Sequence, residues 1–170
     1  MLRLLGAVLL MGGAAALGFS AAAHLRMRVV CLRSLLTSLE QMERELRFCL
    51  TPLPVLFGNL AMVSGTPANR FYELCAREMK QLGERPLSEL WRNALEKAAL
   101  PLEMDEMRVL TELGTVLGRY DAAGQQEALD LARNRLFVFL TRAEEDRSRL
   151  EKVYGALGLS AGAFLLLILL

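Results

Sequence analysis

The sequence predicts an all-α protein, an antiparallel up-and-down helical bundle flanked by N- and C-terminal transmembrane helices. Three observations predict it. Uncharged stretches of membrane-spanning length stand at the two ends, Leu4–Ala23 and Tyr154–Leu170. Between them apolar residues recur at steps of three and four, the helical period. No segment alternates as a strand does, and no Asn-Gly or Asp-Gly hairpin signal occurs.

Composition sharpens this. The 170 residues are enough for one domain. Adding the 13 Gly to the hydrophobic set and removing the 3 Tyr gives about 60% apolar residues, against about 45–50% in ordinary soluble domains. The surplus sits at the ends. Twenty basic and nineteen acidic side chains leave a net charge of +1, which excludes a chain built on nucleic-acid electrostatics. One His and three scattered Cys exclude a zinc finger, a CxxC redox site and a disulfide framework. No Gly-rich turn precedes a Lys-Ser/Thr pair, so the chain is not an NTPase of the common type. No cofactor is expected.

The first uncharged stretch has 20 residues, about 30 Å as a helix, the thickness of a bilayer's hydrocarbon core. The second has 17, about 26 Å, short but able to span. Arg26, Arg28 and Arg33 follow the first; Arg147, Arg149 and Lys152 precede the second. Both clusters face the middle of the chain, so the positive-inside rule puts that middle in the cytoplasm. The expected divisions are an anchor over 1–24, a cytoplasmic helical bundle over 25–152 and a second anchor over 153–170. A cleaved leader is the rival reading of the first stretch, with Ala21–Ala23 as the cut. It is disfavoured because leaders carry about 7–15 apolar residues and the basic cluster opposes export. Ala14, Gly18 and Ala22, like Gly158 and Gly162, recur every four residues, a spacing that lets membrane helices pack or dimerise.

The middle reads as a string of amphipathic helices. Leu32, Leu36, Leu39, Met42, Leu46 and Cys49 form one stripe on a rod that ends near Thr51-Pro52-Leu53-Pro54, since each Pro disfavours helix in the residue before it. A short apolar element follows from Pro54 to Val63. Ala68–Leu82 places Phe71, Leu74, Cys75, Met79 and Leu82 on one face and stops at Gly83. Pro86–Ala99 carries Leu87, Leu90, Trp91, Ala94, Leu95 and Ala98. Leu102–Leu117 is expected to turn Met104, Met107, Leu110 or Thr111, Leu113 or Gly114, and Leu117 inward. Gly118 then stops this helix and Asp121 caps the next, forcing a helical hairpin. The last stripe is Leu129, Ala132, Leu136, Phe139, Ala143, Leu150 and Val153.

Little here carries chemistry. His24 stands alone at the expected membrane interface. Cys31, Cys49 and Cys75 fall on apolar faces, where a free Cys behaves as a small hydrophobe. Glu103, Asp105, Glu106 and Glu112 make the most acidic stretch: either a solvated face, favoured also by the helix dipole, or a docking patch for a basic partner. No nucleophile, Ser-His pair or metal-ligand spacing accompanies them, so no enzyme activity is expected.

At Leu117-Gly118-Arg119-Tyr120-Asp121, with Gln125 beyond, the sequence resembles the stage III sporulation protein AB family of endospore-forming Firmicutes. The resemblance extends over the whole chain, through the N-terminal apolar segment, Thr51-Pro52-Leu53 after the first long helix, Trp91, Ala94 and Leu95 in mid-chain, and the C-terminal anchor. The family turn reads Leu-Gly-x-Ser-Asp with Gln four residues on. Gly118, Asp121 and Gln125 match it, while Tyr120 stands where the family has Ser.

The resemblance implies a function that composition does not. The family's cytoplasmic domain is similar to the F-type platform domains of type II secretion and type IV pilus machines. It implies a scaffold in the mother-cell membrane around the forespore, in a channel between the two cells. The implied partners are a cytoplasmic hexameric ATPase, the other membrane subunits, the lipid bilayer and further copies of the chain, with no nucleic acid. The turn Gly118, Tyr120, Asp121 and Gln125 is a candidate contact. The alternative is a membrane-tethered helical binding module or regulator with no secretion role.

Overall fold

The computed structural model describes the backbone of residues 2–49, 51–117 and 122–169, and side chains at 20, 22–48, 51–117, 123–150 and 153. Among the described residues the chain is helical and contains no strand. Two long helices, α1 (Leu2–Arg44) and α6 (Ala122–Leu169), enclose four short ones in the chain: α2 (Leu53–Val63), α3 (Ala68–Glu78), α4 (Leu87–Ala98) and α5 (Met104–Val116). The chain divides into two compact units. One is made of Met1–Met27 and Arg142–Leu170, the other of Arg28–Thr141.

The first unit consists of the outer lengths of α1 and α6. The two expected membrane spans fall largely on residues whose side chains lie outside the described ones. Among the described residues, no helix is long and apolar enough to cross a membrane.

In the second unit α1 ends where the sequence predicts. A π-helical turn, Glu45–Cys49, closes it ahead of Pro52. Thr51 bonds back to this turn, its hydroxyl donating to Glu45 at 2.6 Å. The core draws on every helix. Leu32, Leu35, Leu39 and Met42 come from α1, Leu56, Phe57 and Leu60 from α2, and Leu129, Ala132, Leu136 and Leu140 from α6. At its centre Phe57, Phe71, Tyr72 and Trp91 pack ring to ring, with Phe71 and Trp91 edge-to-face at 4.8 Å.

Two polar ring atoms in this cluster are satisfied. The Ser38 hydroxyl donates to the Leu35 carbonyl at 2.8 Å, so its bond with the buried Tyr72 hydroxyl, also 2.8 Å, takes the tyrosine proton. Trp91 Nε1 donates to the Leu110 carbonyl at 2.8 Å, joining α4 to α5. One turn on, Gly114 leaves room for the indole. A Cβ there would stand 2.1 Å from Trp91 Cδ1.

Several elements differ from expectation. Helix α3 ends at Glu78 and passes into a 3₁₀ turn, Met79–Gln81, so Leu82 swings outward instead of completing the stripe. Gly83 beyond it takes φ +107°, the conformation that ends such a helix. Helix α4 stops at Ala99, which holds the left-handed conformation at φ 48° without being glycine. Helix α5 starts at Met104, later than Pro101 suggests. That shifts its inward face to Glu106, Val109, Leu110, Leu113 and Gly114, and leaves Met104 in solvent.

Candidate functional site

The feature that separates this unit from a plain apolar bundle is an ion cluster where α5 begins. Glu103 is the N-cap of α5 and Glu106 its third residue. The two form a reciprocal capping box: the Glu103 carboxylate accepts from the backbone of the first turn, and Glu106 Oε2 accepts from Glu103 N–H at 2.8 Å. The other Glu106 oxygen, Oε1, accepts from Arg28 Nε at 2.9 Å and Nη2 at 2.6 Å. Arg28 Nη1 completes the cluster by donating to Glu103 Oε1.

Glu106 is wholly buried and Arg28 nearly so. A buried carboxylate is tolerated when its charge is paired and its oxygens accept hydrogen bonds; Glu106 has the Arg28 charge beside it and three donors. One carboxylate therefore caps α5 and grips α1 at once. Cys31, one turn along α1, feels this: burial, and secondarily the Glu106 charge, push its thiol up to about 12. Burial likewise raises Cys75, with a smaller contribution from Glu78. Such thiols are packing groups, not nucleophiles. The Cys49 side chain lies outside the described residues.

The acidic stretch is exposed at Glu103, Asp105 and Glu112, and its carboxylates are ion-paired. Glu106 is interior, Glu103 is engaged with Arg28, Asp105 pairs with Arg108 at 3.4 Å, and Glu112 accepts from Arg135 of α6 at 2.8 Å. Of the basic residues that flank the two uncharged stretches, Arg28 turns its guanidinium inward. Arg26, Arg33 and Arg149 are exposed and Arg147 is half-buried, while the Lys152 side chain lies outside the described residues. Gly118, Tyr120 and Asp121 also lie outside them, and Gln125 is half-buried on α6. Among the described residues no cluster of His, Cys, Asp or Glu is arranged to hold a metal ion.

The Arg28–Glu106 pair left a trace in the sequence. Arg28 precedes Leu32 by four residues and so continues the α1 stripe inward. Glu106 stands in the same relation to Leu110, Leu113 and Leu117. A charged residue on each of two apolar stripes, of opposite sign, is the pattern of a buried pair.

Other ion pairs tie the elements together. Arg133 of α6 donates to Glu43 of α1 at 3.0 Å. Lys97 of α4 donates to Glu78 of α3 at 2.6 Å. Between α1 and the α2–α3 connection runs an open groove of about 300 Å³, lined by Val30, Ser34, Thr37, Val63 and Ser64 among others. Ser34 Oγ donates to the Gly65 carbonyl across it at 2.7 Å.

Comparison with known proteins gives concordant results. The family model for stage III sporulation protein AB matches residues 3–170. A relative of that description from Bacillus subtilis (strain 168) is 29% identical over 172 residues, with both chains covered in full. A solved structure described as stage III sporulation protein AB is similar at a TM-score of 0.67 and 25% identity. The match covers 72% of this chain and 98% of the other.

Proposed function

We infer the function of this chain from the family to which it belongs, that of stage III sporulation protein AB. Its place in sporulation follows from that membership. Within it we read the chain as a non-enzymatic membrane scaffold of a secretion-like complex joining mother cell and forespore. It couples a cytoplasmic hexameric ATPase to the other membrane subunits. Leu4–Ala23 and Tyr154–Leu170 anchor it in the mother-cell membrane around the forespore, and residues 25–152 face the cytoplasm.

One observation carries this reading. The helices that contribute Leu32–Leu39 and Leu129–Leu140 to the core are the same helices that carry the uncharged ends. Helix α1 has 43 residues and α6 has 48, each longer than a fold of this size needs for packing alone. In sequence, no Gly- or Pro-rich linker separates either uncharged end from the bundle, which is what a coupling role requires.

A flexible Gly-Ser linker inserted after Leu150 tests the coupling. The variant accumulates to the level of the native chain, and sporulation fails. Normal spore yield with the linker in place would contradict the scaffold reading and favour a membrane-tethered binding module.

A further inference from the structure

Helix α2 carries no charged residue, whereas α3, α4 and α5 each carry both acids and bases. Its inner face, Leu56, Phe57 and Leu60, is fully buried. Its opposite face is apolar as well. Val55, Gly58 and Met62 follow one another there at steps of three and four. Met62 is 81% exposed and Val55 54%. A single exposed apolar residue is ordinary, but a helix that is apolar on both faces belongs between two neighbours.

Gly58 stands at the middle of this outer face. Glycine weakens a helix interior and serves there where another group comes close. Its backbone is helical, so no left-handed conformation demands it. Gly114 gives its room to Trp91, but the room beside Gly58 is empty: a Cβ built there meets no atom within 4 Å.

The outer face is also symmetric along its length. Val55 and Met62 lie equally far from the point between Gly58 and Asn59. A twofold axis through that point sets Val55 of one copy against Met62 of another, and Gly58 against Asn59, each contact made twice. That reciprocity is what an isologous contact requires. Charge narrows the occupant further. Two neutral faces meet without repulsion, while a strongly charged partner finds no complement on α2. Helices that lie on a membrane surface carry Lys or Arg on their polar face, and α2 has neither.

We propose that α2 is a self-association face: a second copy of the chain packs its own α2 against it, antiparallel, crossing at Gly58 and Asn59. The missing Cβ lets the two helix axes approach toward the lower end of the usual 8–10 Å range. Eleven residues give about 16 Å of helix, a small interface that joins copies already held near one another. The pairing stands whether or not the chain couples to an ATPase.

The test uses the full chain, concentrated in detergent. Cys49 is replaced by Ser; Cys31 and Cys75 stay native, since both are buried. Chains with Val55→Cys and with Met62→Cys carry different tags and are oxidised separately and mixed. In the antiparallel pair, position 55 of one copy meets position 62 of the other. Two copies of position 55, or of position 62, stand about 10 Å apart along the helix, beyond the reach of about 7 Å between Cα atoms that a disulfide allows. The mixture therefore gives linked dimers bearing both tags, and each variant alone stays monomeric on a denaturing gel. Gly58→Leu in both chains abolishes the mixed product with helix content by circular dichroism unchanged, because its side chain has open space in a single copy. Linking of each variant alone, as strong as in the mixture, would mean a parallel or unregistered contact and overturn the proposal. A mixed product undiminished by Gly58→Leu would overturn the crossing at Gly58. No mixed product in the concentrated sample would mean that something other than a second copy covers α2, which also overturns it.

Discussion

Arg28 and Glu106, 78 positions apart, form a buried two-point ion pair in which the carboxylate also caps the helix that carries it. The α1 rod is thereby fixed to the start of α5 by a single side chain that accepts three hydrogen bonds. Removing one partner strands the other. Arg28→Met leaves Glu106 buried with only its cap bond and costs about 3–5 kcal/mol of stability. The double variant Arg28→Met with Glu106→Leu recovers most of that loss. Chemical denaturation of the full chain in detergent, followed by tryptophan emission, measures both. A double variant as unstable as the single one would show that the pair is not the source of the loss.

Gly114 is required by Trp91 and not by its own backbone. Gly114→Ala drives a Cβ to 2.1 Å from the indole, so α4 and α5 must separate or the ring must turn. The expected loss is about 1–3 kcal/mol, the range for overpacking a core. Displacement of Trp91 Nε1 from the Leu110 carbonyl would shift the emission spectrum of the chain's one tryptophan.

Ala99 has the opposite sign. It holds φ 48° at the end of α4 and is exposed. Ala99→Gly relieves about 1 kcal/mol of left-handed strain, partly offset by the added freedom of the unfolded chain. The variant should unfold at higher denaturant than the native chain.

Alkaline pH should loosen the unit. Cys31, raised to about 12, Cys75 and Tyr72 are all held protonated by burial. Their folded-state pKa values exceed the unfolded ones, so the unfolded chain releases protons first. Stability is fully present below about pH 9 and falls as pH rises toward 12. Each group contributes a slope of up to about 1.4 kcal/mol per pH unit in that window. Denaturation midpoints at pH 8 and pH 10 measure the loss, and Cys31→Ala should reduce it.

Much of this was legible in the sequence. All six inward residues expected for α4, from Leu87 to Ala98, are buried, because Pro86 fixes its start and the helix runs without interruption. Helix α5 was legible in type but not in phase. Pro101 suggested an early start, whereas the capping box begins the helix at Met104, and the inward face rotates onto Glu106 and Val109. Leu82 turned outward because a 3₁₀ turn changes the angular step after Glu78. On α6, Leu140 is buried in the place expected for Phe139, which is half-buried. The Arg28–Glu106 pair went unread because charge suggests solvent, and only the fold brings two such residues together. Tyr72 was missed for the same reason, its hydroxyl being matched by Ser38 on another helix.

The central claim is that this member of the stage III sporulation protein AB family links a cytoplasmic ATPase to a membrane assembly. Affinity purification of the full-length tagged chain from solubilised membranes of sporulating cells tests it most directly. The claim predicts a hexameric ATPase recovered with the chain from the membrane fraction, and lost when the Arg28→Met variant is the bait. A folded chain recovered from that fraction with no ATPase would contradict it.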